Sequence, residues 1–234
     1  MWLASSLVAV EPPPSASSTE PAAVQRFLSR PDERPVSYRA LRRIEAANPR
    51  FNLHGWIEAW TELTPEGRFQ YQIVRTGGSD YIVGKVLRPL LANEEKLFAT
   101  GDASRAALTA ENYELHGLEA AEPGLVKLLV KPKRRDVSLI DGAAFVTEVE
   151  ADLVRVEGKL AKNPSFWTKR VDVVRYYDRI RGARVPTRMD SVAQIRFAGT
   201  ATLSMMWDYE IINGEAVTAA SASAGAPERQ AGRP

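Results

Sequence analysis

The sequence has no cysteine at all. This excludes disulfides, thiolate nucleophiles and cysteine-ligated metal sites. It also excludes the lipid-modified cysteine that a mature bacterial lipoprotein carries at its N-terminus. Histidine is nearly as scarce, with His54 and His116 as the only examples. They are uncoupled in sequence and supply no histidine pair for a metal. No G-x-S-x-G nucleophile elbow and no Walker phosphate loop occurs. Asp172, Asp178 and Asp190 alternate with arginines, the pattern of a solvated strand face. One charge sign barely exceeds the other: 31 basic against 29 acidic residues give a net charge of +2. Bulk charge therefore gives nucleic-acid binding no support. No apolar run reaches the roughly 18 residues of a membrane-spanning helix. No catalytic residue, metal or cofactor is expected, and binding is favoured over catalysis.

What is present is a chain of 234 residues with 44% hydrophobic and 26% charged residues, enough for one sizeable core. The apolar opening Met1–Val10, followed by a Pro/Ser/Ala-rich stretch, has the pattern of a truncated secretion signal and linker over residues 1–20. Such a signal would direct the protein to the periplasm or otherwise out of the cytoplasm. Residues 215–234 have the composition of a disordered tail. A single β-rich domain is expected over residues 21–214.

Within that span Ala22–Ser29 suits a short helix with Val24, Phe27 and Leu28 on one face. From Phe51 to Leu63 the residues alternate: Leu53, Gly55, Ile57, Ala59 and Thr61 share one face, and His54, Trp56, Glu58 and Trp60 the other. Thr64-Pro65-Glu66-Gly67 reads as a hairpin turn, and Phe69, Tyr71, Ile73 and Arg75 as the return strand. Gly77-Gly78-Ser79 then reads as a glycine turn with Ser79 as N-cap, in preference to an anion-binding loop. The period changes to helical from Ser79 to about Phe98, with Ile82, Val86 and Leu90 on one face and Pro89 expected to kink or split the helix. A helical stub near Ser104–Leu108 follows. Strands are predicted over 112–119, 125–133, 138–148, 152–160, 169–180, 184–197 and 201–212. Asp141-Gly142, Gly182, Gly199 and Asn213-Gly214 are read as turns. So many consecutive antiparallel strands must bury one face. The fold class is α+β, mainly antiparallel β: a curved sheet or half-open β-barrel with a helical lid.

Two surface features stand out. The run Lys131-Pro132-Lys133-Arg134-Arg135 and the later arginines suit anionic lipid headgroups or an acidic partner; alternatively they are charged outward faces that block edge pairing. Phe166-Trp167 places adjacent aromatics at a strand start, suited to core packing or to lining a ligand cavity.

The C-terminal half carries a resemblance. Leu153-Val-Arg-Val-Glu-Gly-Lys-Leu160, Pro164-Ser-Phe-Trp167, Val171-Asp-Val-Val174, Tyr177, Ile180-Arg-Gly182, Val185-Pro186 and the final Tyr209-Glu-Ile-Ile-Asn-Gly214 resemble the periplasmic lipoprotein-carrier fold superfamily. Its members include the LolA and LolB carriers, the sensor RseB and outer-membrane lipoprotein-sorting-like proteins. The likeness spans about residues 35–214. It implies a cell-envelope binding protein whose half-barrel holds a lipid or the acyl chain of a lipoprotein, with the helix over residues 80–98 as lid. A sensor or protein-interaction domain on the same fold is the alternative, with a membrane surface or an envelope protein as possible partner. Under this resemblance Trp56, Trp60, Phe69, Val86, Leu90, Phe166 and Trp167 are the cavity candidates.

Overall fold

The computed structural model describes residues 22–30 and 34–217. The expected signal and linker over residues 1–20 and most of the expected tail lie outside them. The first helix, α1, is Ala22–Ser29. The strands are β1 (Tyr38–Asn48), β2 (Leu53–Leu63), β3 (Phe69–Gly78), β4 (Tyr113–Glu122), β5 (Leu125–Pro132), β6 (Ile140–Thr147), β7 (Leu153–Leu160), β8 (Thr168–Ile180), β9 (Ala183–Ile195), β10 (Gly199–Ile212) and β11 (Glu215–Ala216). Between β3 and β4 lie α2 (Asp80–Ile82), a π-helical segment Val83–Leu87, α3 (Arg88–Ala99) and a 3-10 turn, Asp102–Ala106.

The strands form one antiparallel sheet in the order β3-β2-β1-β10-β9-β8-β7-β6-β5-β4, with β11 paired to β10. Hairpin follows hairpin except where β1 pairs with β10, which brings the two ends of the domain together at mid-sheet. β3 and β4 are left as edges, so the sheet curls without closing: a half-open barrel.

Alternation explains the curl. In β1, Ala40, Arg42, Ile44, Ala46 and Asn48 are buried, and the residues between them are less so. Their neighbours Gly55, Ile57, Ala59 and Thr61 of β2 point the same way. The helical insertion lies on this face. Ile82, Val83, Leu87 and Leu91 pack on Ile44, Ile57, Ala59 and Met205. A second cluster, with Leu128, Val130, Ala144, Val146, Val156, Val171 and Val173, fills the curl of β5–β8 and takes Phe27 from α1. Met189 in β9 packs against both clusters.

The helical insertion is split as expected. Pro89 lacks an amide hydrogen and crowds the preceding turn. The backbone responds with the π-helical segment Val83–Leu87, and α3 begins beside the proline. Ser79 holds the N-cap position, but its side chain makes no capping hydrogen bond.

Three expectations are corrected. Gly77 and Gly78 are not a separate turn between strand and helix: they end β3, paired with Trp56 and Gly55. Asp141-Gly142 is not a turn, because Gly142 sits inside β6 opposite Gly158 of β7. A Cβ on Gly142 would come within 2.1 Å of the Glu157 carbonyl oxygen, and one on Gly158 within 2.4 Å of that of Asp141. The glycine pair is what lets these backbones approach. Finally, the fold does not stop at residue 214. Asn213 and Gly214, both with positive φ, turn the chain into β11, and Arg181 donates hydrogen bonds to the Ala216 carbonyl.

Candidate functional site

The concave face is apolar on both flanks and polar at its centre. Arg42 of β1 is 1% exposed. Its guanidinium donates two hydrogen bonds to the Glu94 carboxylate of α3: Nη1 to Oε2 at 2.5 Å and Nη2 to Oε1 at 3.2 Å. It lies over the rings of Trp207 and Phe69, 4.9 and 5.7 Å from their centroids. Its Nε is buried and has no hydrogen-bond partner among the described residues. Burial opposes the Arg42 charge, but Glu94 and Tyr38 more than offset it, so the guanidinium stays protonated.

Two tyrosines flank this pair. Tyr38 and Tyr209 meet edge to face, with centroids 5.7 Å apart, and the Tyr209 hydroxyl donates to the Pro186 carbonyl at 2.8 Å. Burial pushes the Tyr38 hydroxyl up to about 12 and that of Tyr209 well above its ordinary value. Both are neutral hydrogen-bonding groups at physiological pH. Across the curl, Arg175 of β8 occupies the same inward phase, and its charge is favoured by Tyr177, against the cost of burial. Its Nη2 lies 3.6 Å from the Met189 sulfur, and its Nε is buried without a partner among the described residues. The interior thus holds two guanidinium groups, one carboxylate and neutral phenols, set between apolar walls.

One cleft opens on the concave side. Its volume is about 280 Å³, and its lining includes Phe27 and Leu28 of α1, Leu108, Leu115 of β4, Leu153 of β7 and Arg184. α1 roofs it through two tethers. Arg26 donates to the Glu148 carbonyl at 2.7 Å. Arg30 pairs with Asp152 at 2.8 Å, and Asp152 also receives Arg179 of β8 at 2.6 Å. Burial raises the Asp152 pKa, but the hydrogen bonds from Arg179 and Arg30 outweigh it and hold the carboxyl below its ordinary value.

The seven cavity candidates do not form one lining. Three of them lie at the helical insertion: Phe69 of β3 is buried and stacks on Phe98 of α3 at 5.3 Å, while Val86 and Leu90, in the insertion itself, are partly buried against the helix-covered cluster. Trp56 and Trp60 lie on the opposite, convex face, where Arg43 and Arg39 cover their rings at 4.7 and 4.6 Å. The helices landed on the small-residue face of β2, which turned both tryptophans outward. Phe166 and Trp167 project from one end of the sheet and are 75% and 55% exposed, so they belong neither to the core nor to the cleft.

Arg42, Glu94 and Arg175 were not among the candidates. Arg42 did leave a signal, since it interrupts the buried phase Ala40, Ile44, Ala46 with a charge. Glu94 left none; its partner is 52 residues away.

Among the described residues no group of three or more His, Asp or Glu side chains is placed to hold a metal, and no helix is long and apolar enough to cross a membrane. The molecule is an open antiparallel half-barrel, lidded by helices, with a charged centre in an apolar interior. No family model matches the chain, and no curated protein does. A solved structure of a DUF1329 family protein from Desulfovibrio piger is similar, with a TM-score of 0.39 and 10% identity, over 82% of this chain and 95% of that one. A likeness this distant carries no argument about function.

Proposed function

We propose that this protein is a cell-envelope binding protein that holds a lipid or acylated ligand against the concave face of its half-barrel. The observation that carries the reading is the helix-roofed apolar interior with Arg42 buried and Arg175 half-buried in it. An amphiphile matches that combination: its chain takes the apolar walls, and its polar or anionic end takes guanidinium donors that lack a full set of partners. The cleft under α1, about 280 Å³, is slightly below the roughly 300–1,000 Å³ of typical ligand sites. Holding a whole acyl chain therefore requires α1 or the helical insertion to move outward. Both are held mainly by side-chain contacts, with ion pairs at Glu94 and Asp152, and not by strand pairing. In this reading the protein binds without catalysing a reaction, and it works in the periplasm or another exported compartment.

Native mass spectrometry of protein purified from a membrane-containing host tests the proposal. The expected result is a lipid-mass adduct that Arg42→Met or Arg175→Met weakens. A clean apo mass, together with no fluorescence response to fatty-acyl probes, overturns it.

A further inference from the structure

Alternate hairpins of an antiparallel sheet open at the same end. The β1–β2, β7–β8 and β9–β10 connections therefore share one rim of the half-barrel. They are tied together there: Arg196 N–H donates to the Trp167 carbonyl at 2.8 Å, and Asn48 Nδ2 donates to the Ala198 carbonyl at 3.2 Å. This rim carries a concentration of exposed aromatics. Phe197 is 80% exposed, Phe166 75% and Trp167 55%. Their rings form a chain, with Phe166 and Trp167 centroids 5.6 Å apart and Trp167 and Phe197 6.2 Å apart. Phe51, on the neighbouring β1–β2 turn, is also exposed.

Two further observations show that this is more than scattered surface hydrophobicity. Phe197 has a φ of 63°, a left-handed conformation that bulky residues adopt rarely and at a cost. Here that conformation holds a phenyl ring in solvent, where folding gains nothing from it. The second observation is charge. The stretches 159–170 and 191–207 contain no acidic residue. They supply exposed Lys162, Lys169, Arg170 and Arg196. Arg170 is paired with Asp172, while Arg196 lies over the Phe166 ring at 4.9 Å. An aromatic tip ringed by cations is complementary to an anionic bilayer: the rings enter the headgroup region and the cations meet the phosphates.

We infer that the Phe166–Trp167–Phe197 rim is a docking surface for an anionic lipid membrane. The inference is independent of what the concave face holds. It sets the half-barrel upright on the bilayer, with the opposite end, where α1 sits, facing away.

The test is sedimentation of the full chain with vesicles of phosphatidylcholine alone or with 30% phosphatidylglycerol, the latter enough to mimic a strongly anionic leaflet. Binding to the anionic vesicles is expected, falling steeply between low and physiological salt. Trp167→Ala with Phe197→Gly should lower the partition coefficient about tenfold or more, and Lys162→Gln with Arg196→Gln about tenfold, each cation contributing several-fold. Phe197→Gly alone separates binding from folding. Glycine accepts the positive φ, so the melting temperature should hold or rise while vesicle binding drops. Brominated lipids should quench tryptophan emission in the native chain, and less so in Trp167→Phe. Equal binding to neutral and anionic vesicles, or unchanged binding in the aromatic variants, overturns the inference. So does a concentration-dependent dimer that those same variants abolish, which would make the rim a self-association face.

Discussion

Arg42 and Glu94 join the first strand of the sheet to the helix that roofs it, through a two-pronged ion pair whose arginine is almost fully buried. Removing one member of such a pair strands the other charge away from water. Glu94→Ala should therefore destabilise the fold by about 3–5 kcal/mol, at the lower end because the Glu94 side chain retains some solvent. Replacing both, as Arg42→Met with Glu94→Leu, should recover most of the loss. Urea midpoints of the single and double variants, combined as a double-mutant cycle, check this. Additive losses would mean that the pair is not coupled.

Asp152 makes the seating of α1 sensitive to acid. Its carboxyl is depressed in the folded state by Arg179 and Arg30. The contribution is complete above the ordinary carboxylate value, about 3.9, and is lost as pH falls through the lower folded value. Stability should therefore decline more steeply below pH ~4 in the native chain than in Asp152→Asn, which is already deprived of the charge. Unfolding midpoints taken between neutral and acidic pH test this; parallel curves for the two proteins would refute it. Asp152→Asn should also loosen α1, seen as faster amide exchange over Ala22–Ser29.

Trp167 is too exposed to act as a core residue. Trp167→Ala should move stability by no more than about 0.5 kcal/mol, the range of surface substitutions, against the roughly 3–5 kcal/mol of a core aromatic. A thermal melt distinguishes the two. Leu91, fully buried beneath the helix, is the contrast: Leu91→Ala should cost about 2–5 kcal/mol.

Gly142 faces Gly158 across β6 and β7 with no room for a side chain. Gly142→Ala forces the strands apart and should cost at least the ~1–3 kcal/mol of overpacking, and more if the pairing slips. Gly84, in the π-helical segment, has open space around its Cα. Gly84→Ala there should be neutral or stabilising by up to about 1 kcal/mol. Equilibrium unfolding of both variants gives the comparison.

The sequence by itself determined whatever depends on neighbours along the chain. The period of 2 placed β2 through β10 to within a few residues, because side chains alternate wherever a sheet has one buried face. Pro89 announced the split in the helix, since a missing amide hydrogen acts locally. Tertiary structure decided which face of each strand became concave. Trp56 and Trp60 are the bulkiest residues of β2, yet they share their face with His54 and Glu58, and the helices seat on Gly55, Ile57 and Ala59, where small residues allow close approach. The tryptophans are left outside, beneath arginines. Gly142 looked like a turn because glycine beside aspartate usually is one, and only the opposing Gly158 shows the close strand contact. The charged centre was illegible for the same reason. Arg42, Glu94 and Arg175 come from β1, α3 and β8, and only the pairing of β1 with β10 and the curl of the sheet bring them onto one face. Alternation along a strand says that two faces differ; it does not say which of them another element will cover.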